Sequence, residues 1–532
     1  MNAATPHEPR PEQPRWLAAL AAGLAEALPR LYGGSTDPLV TELIVDLSEA
    51  LAEGQLEIEL PSEAHRAALL ASPLLAAADG PLVLQGPTLQ WRRWHQQRQA
   101  VLDALLQRAG QPLAVALPSA AQLAASLKVH GQGLDRQQQA AVAAVLRCPV
   151  VLLEGGPGTG KTSTVARMLA AVAAQQSDCR IQLACPTGKA AARLRSALGE
   201  GPWPCSTLHR LLESRGERFA RNRHNPLALD LLVIDEVSML DVPLTAALLE
   251  ALPDACRLVL VGDGAQLPPV GPGSVLRDLQ QPRARKALGA GAVQLSQAYR
   301  NNGAIAELAS ALRDGVCDLE PLLSALEPGA NLRWLQQRPP QLPQPLLQRL
   351  QQHQQQLQQL ALAGEAAALL AALEQLLVLC PLRRGRWGVE AIHRSLLGDQ
   401  VLRGAAHWPI GTPVLCPVNQ SELGLANGDL GVVIESSGER RLLFAPAGAA
   451  ADALLELHPA QLPAAQPAFA LTVHKAQGSE ADEVWVLLDP AARQQRPLLY
   501  TALTRARQRA WLITAAAPTL EPVAHKRHEP LA

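Results

Sequence analysis

The sequence predicts a multidomain α/β protein: two parallel-sheet domains, a small mostly helical domain ahead of them, and a short β-rich insert in the second. Three observations carry this. The apolar runs VVLLEG, IQLACPT, LLVIDE and RLVLVGD alternate with helical segments, and each ends in a polar or glycine-rich stretch. That is the βαβ pattern of a parallel sheet with loops at the carboxyl ends of its strands. A second such block starts at LLVLCPLRRG and returns at FALTVHKAQGSEADEVWVLL. Finally, 532 residues are too many for one ordinary core, so three or more domains are expected.

The elements follow in order. The first thirty or so residues read as a frayed tail leading into a helix. From Pro38 to Ala109 helical periodicity dominates, as in DPLVTELIVDLSEALAEG and WRRWHQQRQAVLDALLQRAG. Between them GPLVLQGPTLQW reads as a short hairpin or pair of edge strands. A linker is expected near Gln111–Gly133. Leu335–Leu360 is rich in Gln and Pro and reads as a linker plus a solvated helix without chemistry. Pro413–Leu462 is rich in short strands and turns, a small β-barrel inserted into the second α/β block.

Composition excludes several classes. No apolar run spans a membrane without a charge, Pro or Gly. The N-terminal MNAATPHEPRPEQPRW lacks the basic-then-apolar order of a secretory signal. Eight scattered cysteines with no C-x-x-C pair argue against zinc and iron–sulfur centres and fit reduced thiols in a cytoplasm. A cytoplasmic protein without membrane contact is therefore expected. The net charge of −1 gives no global support for nucleic-acid binding, so any such contact must come from local grooves. Lysine is scarce, yet Lys161, Lys189 and Lys475 all fall within the motifs below.

The strongest motif is Gly155, Gly156, Pro157, Gly158, Thr159, Gly160, Lys161 and Thr162, which matches G-x-x-x-x-G-K-[ST]. It sits between an apolar strand and a helical segment, the context such a loop requires. Its glycines let backbone N–H groups turn inward around phosphate oxygens, and the helix N-terminus adds a favourable dipole. ATP and Mg²⁺ are the expected ligands: Lys161 for the β/γ-phosphates, Thr162 for the metal. Asp235 and Glu236 end the strand LDLLVIDE. Asp235 is the expected second metal ligand, and Glu236 can polarise the attacking water. Read alone, the pair would be a helix N-cap; the upstream loop argues otherwise. RLVLVGD then ends in a turn that presents Gln266, placed to sense the γ-phosphate through that water.

Taken in order, the P-loop, CPTGKAAARL, STLHRLL, DEVSML, GDGAQLPPV, AYRNNGAIAELA, VHKAQGSE and YTALTRAR resemble the motif set of superfamily 1 helicases, specifically the RecD branch that moves 5′ to 3′. NPLALDLLVIDEVSM, PLRRGRWGVEAIHRSL and ANGDLGVVI extend the resemblance beyond the motor. So does LLASPLLAAADGPLVLQGPTLQWRRWHQQRQAV, which is similar to the short N-terminal domain of that branch. The resemblance implies two RecA-like P-loop motor domains with an SH3-like β insert. The boundaries are 1–120 for an N-terminal partner-binding domain, 121–294 for motor domain 1, 295–397 and 467–520 for motor domain 2, 398–466 for the insert and 521–532 for a tail. Carried over position by position, it makes Gln138 the adenine-reading glutamine, with Gln137 and Gln139 as near alternatives. It makes Arg300 and Arg505 arginines that reach the γ-phosphate from the second motor domain, where they neutralise transition-state charge. It assigns DNA contacts to Thr187, Thr207, His209, Thr472 and His474, and nucleotide coupling to Gly478 and Glu480. For His474 a buried structural histidine is the alternative. For Thr207 and His209 it is plain loop packing.

The chain departs from the family pattern at Ala265, where an acid usually precedes the glutamine, at Asn301, and at His393, where asparagine is usual. None removes a catalytic group. The resemblance further implies a heterotrimer with RecB-like and RecC-like subunits, acting on single-stranded DNA and double-stranded DNA ends in break repair and recombination. No nuclease carboxylate cluster is evident, so a cutting site is expected in a partner. Two other functions compete: a free-standing RecD-like helicase, and a nucleotide-gated subunit that binds DNA ends without translocating. DNA-stimulated ATP hydrolysis discriminates the last from the others.

Overall fold

The computed structural model describes residues 15–33, 37–77, 79–113, 115, 117–199, 201–216, 218–297, 303–445, 454–490, 495–518 and 520. The chain forms two compact units. The first is Met1–Gly110 with Ser238–Ala251 and Pro268–Ala287; the second is Gln111–Val237, Leu252–Leu267 and Leu288–Ala532. This division departs from the expected boundaries. The N-terminal unit claims two stretches assigned to motor domain 1, and both α/β blocks fall in one unit. The expected 521–532 tail lies outside the described residues.

In the first unit, helix Pro38–Ala52 starts where Asp37 accepts the Leu39 N–H at 2.8 Å and proline occupies the first turn. Val40, Leu43, Ile44 and Leu47 form its apolar stripe and pack with Leu69, Leu74, Leu82 and Leu89. The expected hairpin is present as β2 (Leu82–Gln85) and β3 (Thr88–Trp91). A further strand, β1 (Glu57–Glu59), joins it to give the order β1-β3-β2. Arg98, on helix Arg92–Ala109, reaches Asp278 at 2.6 Å and Glu57 at 3.1 Å. That paired fork helps explain why Pro268–Ala287 belongs to this unit.

The second unit holds two parallel sheets. The first comprises β4 (Val150–Gly155), β5 (Ile181–Cys185), β6 (Cys205–Thr207), β9 (Leu231–Ile234), β10 (Arg257–Gly262) and β11 (Ala292–Leu295), in the order β11-β4-β10-β9-β5-β6. Every residue of β4, β9 and β10 is buried, which is why these strands read as continuous apolar runs. A small hairpin, β7 (Ser214–Arg215) with β8 (Arg218–Phe219), follows β6. The second parallel sheet is β12 (Leu332–Gln336), β13 (Leu376–Cys380), β19 (Leu471–Thr472), β20 (Ala481–Leu488) and β21 (Ala506–Thr514), in the order β12-β21-β20-β13-β19. Between β13 and β19 lies an antiparallel sheet: β14 (Pro413–Leu415), β15 (Leu430–Ser436), β16 (Glu439–Phe444), β17 (Leu455–Leu457) and β18 (Gln466–Pro467), ordered β17-β16-β15-β14-β18. Its Val414, Val433, Leu442 and Phe444 share one core with Val378, Trp485 and Ile513 of the parallel sheet.

Two expectations are corrected. The stretch read as a linker contains helix Ala120–His130, started by a reciprocal Ser119–Gln122 capping box. It buries no residue fully, and only Leu123 and Leu127 lean on the neighbouring core, so its sequence carries little helical period. The Gln-rich stretch forms a helix that is solvated on one side only. Helix Gln344–Ala363 buries Leu346, Leu350, His353, Leu357 and Ala361, a single stripe at helical spacing beneath the glutamines. Among the described residues, no helix is long and apolar enough to cross a membrane.

Candidate nucleotide site

Strand β4 ends at Gly155 and the next helix begins at Lys161, so the glycine-rich loop connects a strand end to a helix N-terminus. Gly158 (φ 73°) and Gly160 (φ 78°) adopt the left-handed backbone that glycine enters without steric cost. The Thr159 hydroxyl donates to the Gly156 carbonyl at 2.8 Å and braces the turn. Lys161 Nζ donates to the carbonyls of Gly155 and Gly156 at 2.6 and 3.0 Å, so the cation lies along the loop.

Asp235 and Glu236 directly follow β9. Glu236 has φ 60°, a conformation rare for a residue with a side chain, and its N–H donates to Asp235 Oδ1 at 2.9 Å. Burial, joined by the charge of Glu236, pushes the Asp235 carboxyl up to about 6, while Lys161 and Arg193 pull the other way. Gln266, after β10, is buried and donates to Asp263 Oδ2 at 3.4 Å.

The second α/β block closes the same cavity. Arg505 is buried and donates Nε–H to the Thr501 carbonyl at 3.1 Å; burial lowers its pKa. The Leu267 N–H donates to Thr501 Oγ1 at 2.8 Å, Gln477 donates to the Leu267 carbonyl at 3.3 Å, and Lys189 Nζ donates to Ser479 Oγ at 3.1 Å. The cavity is lined by Gly156, Pro157, Gly158, Thr159, Gly160, Lys161, Thr162 and Ser163, by Asp235, Glu236 and Gln266, and by Arg193, Glu480, Thr504 and Arg505.

Most of the expected nucleotide residues thus line one cavity. Four do not. Gly155 is not among the lining residues; a side chain there would meet Thr159 Oγ1 at 2.5 Å. Gln138 is buried beside the loop, but its amide is engaged: Oε1 accepts from the Asp135 N–H at 3.2 Å and Nε2 donates to the Thr159 carbonyl at 3.3 Å. Of its neighbours, Gln137 bonds Ser296 and Gln139 bonds the Gly131 and Leu134 carbonyls, so Gln138 is the one turned to the P-loop. Gly478 (φ 76°) faces Thr187 rather than the cavity. Arg300 lies outside the described residues.

Arg193 and Thr504 were missed from the sequence. The available signal for Arg193 was its place four residues after Lys189 in GKAAARL, the same helix face. Arg313 stands beside the loop without lining the cavity: a Cβ placed on Gly156 would lie 3.3 Å from its Nη1.

Among the expected DNA contacts, the threonines lie at or just past strand ends and the histidines in the short helical turns that follow. Thr187 follows β5 and accepts the Ala190 N–H at 3.3 Å as a helix cap, Thr207 ends β6 and accepts from Arg210 at 3.2 Å, and Thr472 ends β19 and accepts from Lys475 at 3.3 Å. The His209 ring lies 6.1 Å from Phe219. His474 is exposed at its surface, yet enough packs around the ring to lower its pKa through desolvation. Among the departures, His393 is buried and its Nε2 accepts the Ala470 N–H at 3.3 Å; burial lowers its pKa to about 4, so the ring is neutral.

Comparison with known proteins gives consistent findings. An AAA domain matches residues 138–272 and a UvrD-like helicase C-terminal domain matches residues 467–513. The chain is 36% identical to the RecBCD enzyme subunit RecD of Mycolicibacterium smegmatis, over 94% of this chain and 90% of that protein. It is 35% identical to the RecBCD enzyme subunit RecD of Mycobacterium tuberculosis, over 95% of this chain and 89% of that one. It is 33% identical to the ATP-dependent RecD2 DNA helicase of Deinococcus radiodurans, over 72% of this chain but 51% of that protein. Among solved structures, the Pif1 helicase of Candida albicans is 18% identical, with a TM-score of 0.43 over 74% of this chain and 97% of that one.

Proposed function

The chain belongs to the RecD family, and from that membership we propose that it is an ATP-dependent DNA helicase that moves 5′ to 3′ as the RecD subunit of a RecBCD-type nuclease. The observation that carries the reading is the composition of one cavity. Lys161, Asp235, Glu236 and Gln266 come from the first α/β block, Glu480 and Arg505 from the second. A site that closes only when two blocks meet is what a motor needs, because hydrolysis then reports their relative position.

The roles follow from the chemistry. The P-loop amides and Lys161 hold the β- and γ-phosphates, with Lys161 exchanging its carbonyl partners for phosphate oxygens. Glu236 polarises the attacking water, Gln266 orients it, and Arg505, with Arg300, offsets charge on the transferred phosphoryl group. Gln138 braces the P-loop and reads adenine from beside it, while Gly478 and Glu480 couple nucleotide state to the second block. The Thr162 hydroxyl and the Asp235 carboxylate would hold Mg²⁺. The donor set fits: two oxygens line the same cavity, and a carboxyl raised by burial is one that a cation would return to its ionised form. When bound, Mg²⁺ supplies neutralisation of phosphate charge.

Thr187, Thr207, His209, Thr472 and His474 are proposed to touch the DNA backbone. The antiparallel insert is read as SH3-like. RecB-like and RecC-like subunits are the proposed partners and supply the nuclease. The test is ATP hydrolysis with and without single-stranded DNA, unwinding of a 5′-tailed duplex, and co-purification with those subunits. Stimulated hydrolysis together with assembly supports the reading. Unwinding by the chain alone, with neither partner bound, would move it to the free-standing helicase, and absence of stimulated hydrolysis to the non-translocating subunit.

A further inference from the structure

Arg193 lies on helix Gly188–Leu198, whose N-cap is Thr187. Lys189 and Arg193, four residues apart, share a face of that helix. Both reach the same short segment of the second α/β block: Lys189 donates to Ser479 at 3.1 Å, and Arg193 Nη1 lies 2.9 Å from Glu480 Oε1. The other arm of the Arg193 fork, Nη2, lies 3.7 Å from Glu236 Oε1. One guanidinium therefore stands between the carboxylate read as polarising the water and a carboxylate from the opposite block.

Two further facts say that this is more than a surface ion pair. Arg193 lines the nucleotide cavity, and its Nη1 is sealed from solvent although the side chain as a whole is 40% exposed. The approach of Nη1 to Glu480 also lacks hydrogen-bond alignment, so a buried donor remains unsatisfied beside the cavity. Glu236 meanwhile sits on a left-handed backbone, so the aim of its carboxylate depends on what holds it. In the roles proposed above, Lys161 and Arg505 face the phosphate oxygens of a bound triphosphate. Among the described lining cations, Arg193 is then the one left to face the carboxylates.

Resting on the helicase reading above, we propose that Arg193 is a positioning residue for hydrolysis. It bridges Glu236 to Glu480, so that the water-polarising carboxylate is aligned only when the helix capped by Thr187 is in register with the 479–480 segment. A strand held at Thr187 is thereby read out at Glu236, one helix away.

The test uses the full chain with its partners, the single variants Arg193→Gln, Arg193→Lys and Glu480→Gln, and the double variant Arg193→Gln/Glu480→Gln, with folding checked by thermal midpoint. Steady-state hydrolysis is measured against ATP and oligo(dT), and oligo(dT) affinity by anisotropy. Arg193→Gln is expected to lower kcat at saturating oligo(dT) by about 10- to 100-fold, the scale of a misaligned catalytic group, with KM for ATP and oligo(dT) affinity nearly unchanged. Arg193→Lys is expected to recover part of the loss, since it keeps the charge but not the fork. Glu480→Gln added to Arg193→Gln should cost little more, because both break one bridge. A rise in KM at unchanged kcat, multiplicative losses in the double variant, or a wild-type rate in Arg193→Gln would each overturn the proposal. A wild-type chain without DNA-stimulated hydrolysis would instead overturn the helicase reading beneath it.

Discussion

Tyr500 donates its phenolic O–H to Asp263 Oδ2 at 2.8 Å, which ties the helix Arg496–Leu503 of the second α/β block to the end of β10 in the first. The same carboxylate accepts the Ala265 N–H at 3.1 Å and the Gln266 side-chain amide at 3.4 Å, so the Tyr500 contact bears on where Gln266 points. Burial, reinforced by the Asp263 charge, raises the Tyr500 pKa, so the hydroxyl remains a donor across the physiological range. Tyr500→Phe should leave a buried carboxylate short of one donor, at a cost of about 1–3 kcal/mol. The expected outcome is a lower denaturation midpoint and a several-fold lower turnover. An unchanged midpoint and rate would show that Asp263 is held adequately by its backbone partner.

Gly155→Ala should abolish hydrolysis. Its Cβ would lie 2.5 Å from Thr159 Oγ1 and 3.1 Å from the Leu295 Cβ, closer than atoms tolerate. Relief requires breaking the Thr159–Gly156 hydrogen bond that braces the loop. Loss of nucleotide binding, read by a fluorescent ATP analogue, is the check; near-normal affinity would mean that the loop yields without losing its shape.

Arg505→Ala should lower turnover far more than nucleotide affinity, because a cation aimed at developing charge acts chiefly on the transition state. Steady-state and binding measurements separate the two. A loss confined to affinity, with full turnover at saturation, would remove Arg505 from that role.

Lys189 gives a pH signature. Burial lowers its pKa to about 8, with Asp429 and Glu374 opposing the shift. The folded value lies below the unfolded one, so between about 8 and the ordinary lysine value of 10.5 the native state binds fewer protons. Stability contributed through this group therefore rises as pH climbs through that window. Compared with Lys189→Met, the wild-type midpoint should gain between those limits. Parallel midpoint-versus-pH curves would show that Lys189 titrates as it does in water.

Deleting Pro413–Leu462 should damage hydrolysis and unwinding together. The reason is the shared core: Val414, Val433, Leu442 and Phe444 pack with Val378, Trp485 and Ile513, and removing them exposes the parallel sheet whose strand β21 directly follows Arg505. A deletion chain that keeps basal hydrolysis and loses only unwinding would assign the insert a role in DNA or partner contact instead.

What the sequence determined by itself was local. The P-loop, the DE pair and Gln266 were readable because each motif sits at the end of an apolar strand, and a strand-to-loop transition is written in consecutive residues. The same locality makes Gly158 and Gly160 legible, since the turn demands glycine where it stands. Tertiary structure alone decided the rest. Arg193 bridges residues from two distant segments, and no local pattern records such a bridge. The Gln344–Ala363 helix hid its apolar stripe among glutamines, and only the partner core shows which face is inward. Pro268–Ala287 reads as part of a motor domain, yet Asp278 meets Arg98 and the stretch joins the N-terminal unit. In each case the deciding free energy comes from contacts between residues far apart in the chain, and those exist only once the backbone has brought them together.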